Sequence, residues 1–241
     1  MSQRLDETTI LVPVNASDPG APSGALVELL SPHAVVVLGY YPVPDQSSSD
    51  QLRSQFGEKC ETEIAEIAER FAREGASAES VLVFTKDRTK TIDRIAAKYD
   101  ADAVLTTQAV EETLDRILVP MRGDETLESI LEFVEQLLGK SDATATLFNV
   151  ITAEDDASQG ELIVRGACDR LEEHGVAPER VDWKQTHGES ASSAIIAAAK
   201  SYDLLVVGET KPSLRERLLG TVTDNVIDES PRPVLIVRKN S

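Results

Sequence analysis

Aromatic residues and cysteine are scarce in this 241-residue chain, which holds one Trp, four Tyr, five Phe and two Cys. Cys60 and Cys168 stand far apart, which excludes both a disulfide framework and the close pairs of a zinc site. Three histidines, His33, His174 and His187, are scattered with no ligand spacing, so a metal centre is not expected. Long apolar runs are also missing. The longest, Ala34 to Tyr41, is too short to cross a bilayer, and Met1 to Thr9 is polar, without the apolar stretch of a secretory signal. A cytoplasmic protein with no membrane insertion is the expectation. Positive charge is the deepest deficit, at 24 Lys and Arg against 42 Asp and Glu. Such a surface repels phosphate backbones, so nucleic acid is excluded as a partner. No H-E-x-x-H, C-x-x-C, P-loop or G-x-S-x-G pattern occurs, and no nucleophile and base converge. No catalytic residue is nominated and no enzyme is expected, with weak ATPase activity left open.

What the chain has instead is acid and a core. Apolar residues make up 41% of it, enough to exclude wholesale disorder, and the formal net charge is −18. Carboxylates in such excess repel one another unless salt screens them. At molar salt the Debye length falls to about 3 Å, and the same carboxylates then keep the protein soluble at little repulsive cost. The composition fits a salt-adapted protein; an ordinary acidic protein is the alternative.

Apolar runs alternate with helical periodicity. Strands are expected at Ile10–Val14, Ala34–Pro44, Ser80–Lys86 and Ala103–Thr107, with helices at Asp50–Glu74 and Thr91–Tyr99. The pattern then restarts. ILVPV at Ile10–Val14 returns as ILVPM at Ile117–Met121. A helix at Asp124–Gly139 follows, then strands at Thr144–Ile151, Arg180–Thr186, Leu204–Gly208 and Pro233–Val237. Helices fall at Gln159–Glu173 (stopped by Gly175) and Ser190–Tyr202, with helical material within Leu214–Asp228. Continuous apolar strands joined by helices argue parallel sheets covered on both faces. Two copies of one unit are therefore expected, an α/β unit at residues 1–112 and a second at 113–241. The first lacks a last helix and strand, because the stretch between Val110 and Ile117 is too short for a crossover.

The most specific segment is Leu204 to Lys239, LLVVGETKPSLRERLLGTVTDNVIDESPRPVLIVRK. Gly208 closes a strand, and Gly220 and Thr221 open a T-x-x-D capping box. A strand, a glycine turn and a helix N-terminus can cradle phosphate.

These residues, with the repeated ILVPV and ILVPM, give the chain a resemblance to the universal stress protein A family in tandem form. The resemblance implies a Rossmann-like, adenine-nucleotide alpha-hydrolase-like fold with strand order 3-2-1-4-5 in the second unit. Nucleotide-binding members carry G-x2-G-x9-G-S/T after the fourth strand. Gly208, Gly220 and Thr221 match three of its positions. The middle glycine has no counterpart in Glu209-Thr210-Lys211-Pro212, and the spacing is one residue short. Where such members carry Asp after the first strand, Arg122 stands in the second unit and Asn15 in the first. By the resemblance, ATP or AMP would sit against Met121, Arg122, Val150, Gly208, Gly220, Thr221 and Val222. The departures argue against it: Glu209 places a negative charge where a triphosphate would lie, and Pro212 removes a donor. No bound cofactor is the expectation.

The function implied is a non-catalytic stress-response or regulatory protein acting through dimerisation and partner contacts. An ATP or AMP sensor and a cytoplasmic accessory of an amino-acid transporter are the alternatives. Pro233–Val237 is expected as a bare sheet edge, and such edges invite pairing. A homodimer through residues 233–238 is therefore expected.

Overall fold

The computed structural model describes residues 8–106, 113–121, 127–153, 157–209, 225–226 and 229–238. Contacts divide the chain into two compact units, with the break between Leu105 and Thr106.

Unit 1 runs β1 (Thr9–Asn15), α1 (Gly24–Leu30), β2 (Ala34–Pro42), α2 (Ser49–Arg73), β3 (Ser77–Thr85), α3 (Arg88–Lys98) and β4 (Ala103–Thr106). All its strand pairs are parallel, and neighbours run β3-β2-β1-β4. Strands β1 and β2 are buried on both faces, as the runs VVVL and ILVPV require, whereas β3 is mostly half-exposed. Fully buried Ile10, Leu11, Leu38, Ile64 and Phe71 form the centre. Helix α1 has no clear signature in the sequence. Its seven residues follow the loop-like stretch Asn15–Ser23, yet Ser23 caps it by accepting from Leu26 N at 3.2 Å, and Leu26, Val27, Leu29 and Leu30 are buried. Strand β3 and helix α3 each begin three residues before the periodicity suggests. Strand β2 offers partners as far back as Ser77, and Asp87 caps α3 by accepting from Lys90 N at 3.0 Å.

Unit 2 runs β5 (Arg116–Pro120), α4 (Leu127–Gly139), β6 (Thr144–Ile151), α5 (Ala157–Glu173), β7 (Val181–His187), α6 (Ala191–Ala199), β8 (Leu204–Gly208) and β9 (Val234–Val237). Neighbours run β7-β6-β5-β8-β9, all parallel. A stop by Gly175 is realised at φ 98°, a backbone region that glycine enters without steric cost; Gly75 ends α2 likewise at φ 106°. The core centres on Ile117, Leu118, Leu137, Leu138 and Leu147.

One local device recurs in both units. In unit 1, Thr9 N donates to Asp102 Oδ2 at 2.8 Å while Asp102 N donates to the Thr9 carbonyl at 2.9 Å. In unit 2, Arg116 N donates to Asp203 Oδ2 at 3.0 Å while Asp203 N donates to the Arg116 carbonyl at 2.9 Å. Each Asp directly precedes its strand, so Asp102 and Asp203 hold corresponding places in the two units.

Strand β9 is buried along its length. Val234 to Val237 are each 3% exposed or less.

Candidate functional site

Parallel sheets bind ligands outside the carboxyl ends of their strands, where the chain switches from building one side of the sheet to the other. In unit 2 that point lies between β5 and β8. The ladder there holds two pairs, Ile117↔Leu204 and Leu118↔Leu205, whereas β5–β6 holds five. Beyond Leu118 and Leu205 the regular pairing ceases, on the side of the sheet where Met121 follows β5 and Gly208 ends β8. Unit 1 shows the same two-pair ladder between β1 and β4.

Of the residues expected to hold a nucleotide, Met121, Val150 and Gly208 are described. Arg122, Gly220, Thr221 and Val222 lie outside the described residues. Met121 is 3% exposed and its main chain is fully used. Its N–H donates to the Phe148 carbonyl at 2.8 Å, and its carbonyl accepts from Asn149 Nδ2 at 3.0 Å. Val150 is 5% exposed, packed near Gly188, where a β-carbon would come within 3.3 Å of Val150 Cγ1. Gly208 is buried as the last residue of β8.

Asn149 was not nominated from sequence, although an amide inside the apolar strand TATLFNVI is the signal that could have found it. Buried polar groups need partners, and this one has them. Besides holding Met121, its Oδ1 accepts from Gln185 Nε2 at 3.1 Å, and Gln185 also donates to the Ala157 carbonyl at 2.9 Å. Gly160 on α5 makes room: a β-carbon there would overlap Asn149 Oδ1 and Gln185 Nε2. The ends of β5, β6 and β7 and the start of α5 are thus tied into one polar cluster.

The charge at the site is acidic and paired. Glu209 follows Gly208 directly and is 7% exposed. Its N–H donates to the Val237 carbonyl at 2.7 Å, carrying the β8–β9 pattern one residue further. Its Oε2 lies 3.6 Å from Nε of Arg238, whose side chain is 17% exposed. In unit 1 the end of β1, the counterpart of β5, is closed by a turn: Asn15 Oδ1 accepts from Ser17 N at 3.1 Å and from Ser17 Oγ at 2.8 Å.

Other expectations resolve locally. Cys60 is packed and donates its thiol to the Ala16 carbonyl at 3.2 Å; burial, then Glu63, pushes its pKa up. Burial foremost, with Asp182, Glu172 and Asp169 behind it, pushes the Cys168 thiol up to about 11. His174 Nδ1 pairs with Glu135 Oε2 at 2.7 Å, and Trp183 lies under Arg165, whose guanidinium carbon stands 5.0 Å from the ring centre. An open depression of about 800 Å³ runs along β7 and α6, lined in part by Phe148, Lys184, His187 and Ala198; Met121, Val150 and Gly208 are not in its lining. Among the described residues no group of three or more metal-ligating side chains converges, and no helix is long and apolar enough to cross a membrane.

Comparison with known proteins gives this architecture its relatives. A universal stress protein from Archaeoglobus fulgidus superposes with a TM-score of 0.67 over 97% of both chains at 17% identity. A functionally unknown protein from Pseudomonas aeruginosa superposes at 0.59, also at 17% identity, covering 98% of this chain and 94% of that one. At such identities the likeness is one of fold. In sequence, 48 residues are 50% identical to a universal stress protein of Methanocaldococcus jannaschii, covering 19% of this chain and 30% of the relative's own length. The model of the Universal stress protein family matches residues 113–238, just over half of the chain and nearly all of unit 2. With the switch point and the strand ends of unit 2 inside that match, the chain belongs to the universal stress protein family.

Proposed function

We propose that this protein is a non-catalytic regulatory member of its family, acting in the stress response through contacts with protein partners and holding no nucleotide triphosphate. The observation that carries the reading is the Glu209–Arg238 pair at the carboxyl ends of β8 and β9, with Glu209 7% exposed. A carboxylate buried at the carboxyl end of β8 repels a triphosphate in a medium that screens poorly, and the Arg238 guanidinium is engaged with it. Calorimetric titration with ATP and AMP in molar KCl tests this. No heat is expected; a saturable isotherm with a dissociation constant below 1 mM would overturn it.

The reading takes the two units, residues 1–112 and 113–241, as copies of one ancestral unit with strand order 3-2-1-4-5, the first without its final strand. Support comes from the Asp102–Thr9 and Asp203–Arg116 exchanges and from the two-pair ladders at both switch points. It also takes the −18 charge as salt adaptation of a cytoplasmic protein.

A second reading, an adenine-nucleotide sensor in unit 2, is favoured by one feature: the short ladder between β5 and β8 at the switch point, with apolar Met121 and Val150 buried at the ends of β5 and β6. The same titration decides between them.

A further inference from the structure

We propose that Glu209 is a built-in counter-anion: its carboxylate holds Arg238 and so excludes external oxyanions, phosphate above all, from the carboxyl end of the unit 2 sheet. This deepens the reading above by assigning the exclusion to one residue pair and by naming the ligand class that the site would otherwise take.

Position comes first. The Glu209 N–H bond to the Val237 carbonyl, 2.7 Å, sets Glu209 and Arg238 one step past the last ladder pair, Gly208↔Val237. Both residues therefore stand at the sheet end where parallel α/β folds receive ligands. Burial comes second. A carboxylate 7% exposed and a guanidinium 17% exposed are costly to withdraw from water unless each answers the other. Chemistry comes third. A guanidinium presents several donors in a planar fork that suits carboxylate and phosphate alike, so the two compete for one receptor. Here Glu209 approaches through Nε at 3.6 Å, an ion pair outside the range of a close charge-assisted hydrogen bond. Glu209 therefore fills the role of the anion without using the full capacity of the fork. The global charge adds to the argument: with 42 acidic against 24 basic residues, a half-buried arginine at a strand end is a scarce cation in this chain.

The test replaces Glu209 and offers the site inorganic phosphate. Glu209→Gln keeps the shape and removes the charge; Glu209→Ala also opens the space. The double variant Glu209→Gln/Arg238→Gln supplies the baseline, because phosphate raises melting temperatures non-specifically by exclusion from protein surfaces. Melting temperatures are compared between KCl and potassium phosphate at matched ionic strength. Wild type and the double variant are expected to rise equally. Glu209→Gln is expected to start lower in KCl and to gain several degrees more from phosphate than the baseline, and Glu209→Ala to do the same. The proposal is overturned if both single variants melt cooperatively and gain no more than the double variant, or if wild type gains as much as they do. Failure of the two readings stays distinguishable. Heat from ATP on wild type defeats the proposed function, whereas silence from wild type and from both folded single variants defeats only this inference.

Discussion

Asn149 uses both ends of its amide inside unit 2, and Gly160 is the reason it can. The overlap that a β-carbon at Gly160 would make with Asn149 and Gln185 means Gly160→Ala must displace a satisfied buried network. A loss of about 1–3 kcal/mol is expected in urea melts. Gly166 sits on the same helix with open space where a β-carbon would stand, so Gly166→Ala is expected to gain roughly 0.5–1 kcal/mol. Equal effects at both positions would remove the network from the account. Cys168 gives a second residue-scale prediction. Its thiol ordinarily titrates near 9.0 and is raised to about 11 in the fold. The folded state thus favours the protonated thiol, a contribution fully present below pH 9.0 and lost as pH climbs through about 11. Unfolding free energy should fall across that window, and the part of the fall owed to Cys168 should vanish in Cys168→Ala. Such residues were poorly legible in the sequence: an Asn in an apolar strand is conspicuous, but its partners Met121 and Gln185 lie 28 and 36 positions away.

Elements were legible where burial and periodicity agree. Strands β1, β5, β6 and β8 and helices α2 and α5 fall within a few residues of their expected bounds, because each has a strongly patterned stretch that no neighbour needs to complete. Helix α1 was not legible. Seven residues carry too little periodicity, and only burial of Leu26, Val27, Leu29 and Leu30 stabilises them as a helix. Strand ends also depend on partners. Arg116 and Asp203 bind each other through main chain and side chain, with Arg116 Nη2 at 3.0 Å from Asp203 Oδ1, and that contact holds the guanidinium charged above its ordinary range. Asp203→Ala would strand the Arg116 N–H at the start of β5. A destabilisation of about 1–3 kcal/mol is expected by chemical denaturation, with Asp203→Asn losing less. No difference from wild type would show that solvent replaces the carboxylate there.

For the whole molecule, charge and the last strand matter most. A net charge of −18 predicts that the melting temperature rises steeply as KCl goes from tenth-molar to molar, since the Debye length contracts from about 10 Å to about 3 Å. A flat profile would return the ordinary acidic reading. Pairing of two copies through residues 233–238 predicts a species of twice 26.1 kDa by light scattering in molar salt. A species of 26.1 kDa would remove that pairing from the account. The sequence by itself determined the α/β class, the repeated strand–helix rhythm and the family resemblance, because each is written in the spacing of apolar residues and in short local motifs. Only the tertiary structure decided that Asp203 holds Arg116 as Asp102 holds Thr9, that Asn149 holds Met121 and that Glu209 meets Arg238. Those facts depend on which distant backbone groups lie within about 3–4 Å of one another, and no local pattern fixes that before the chain has closed.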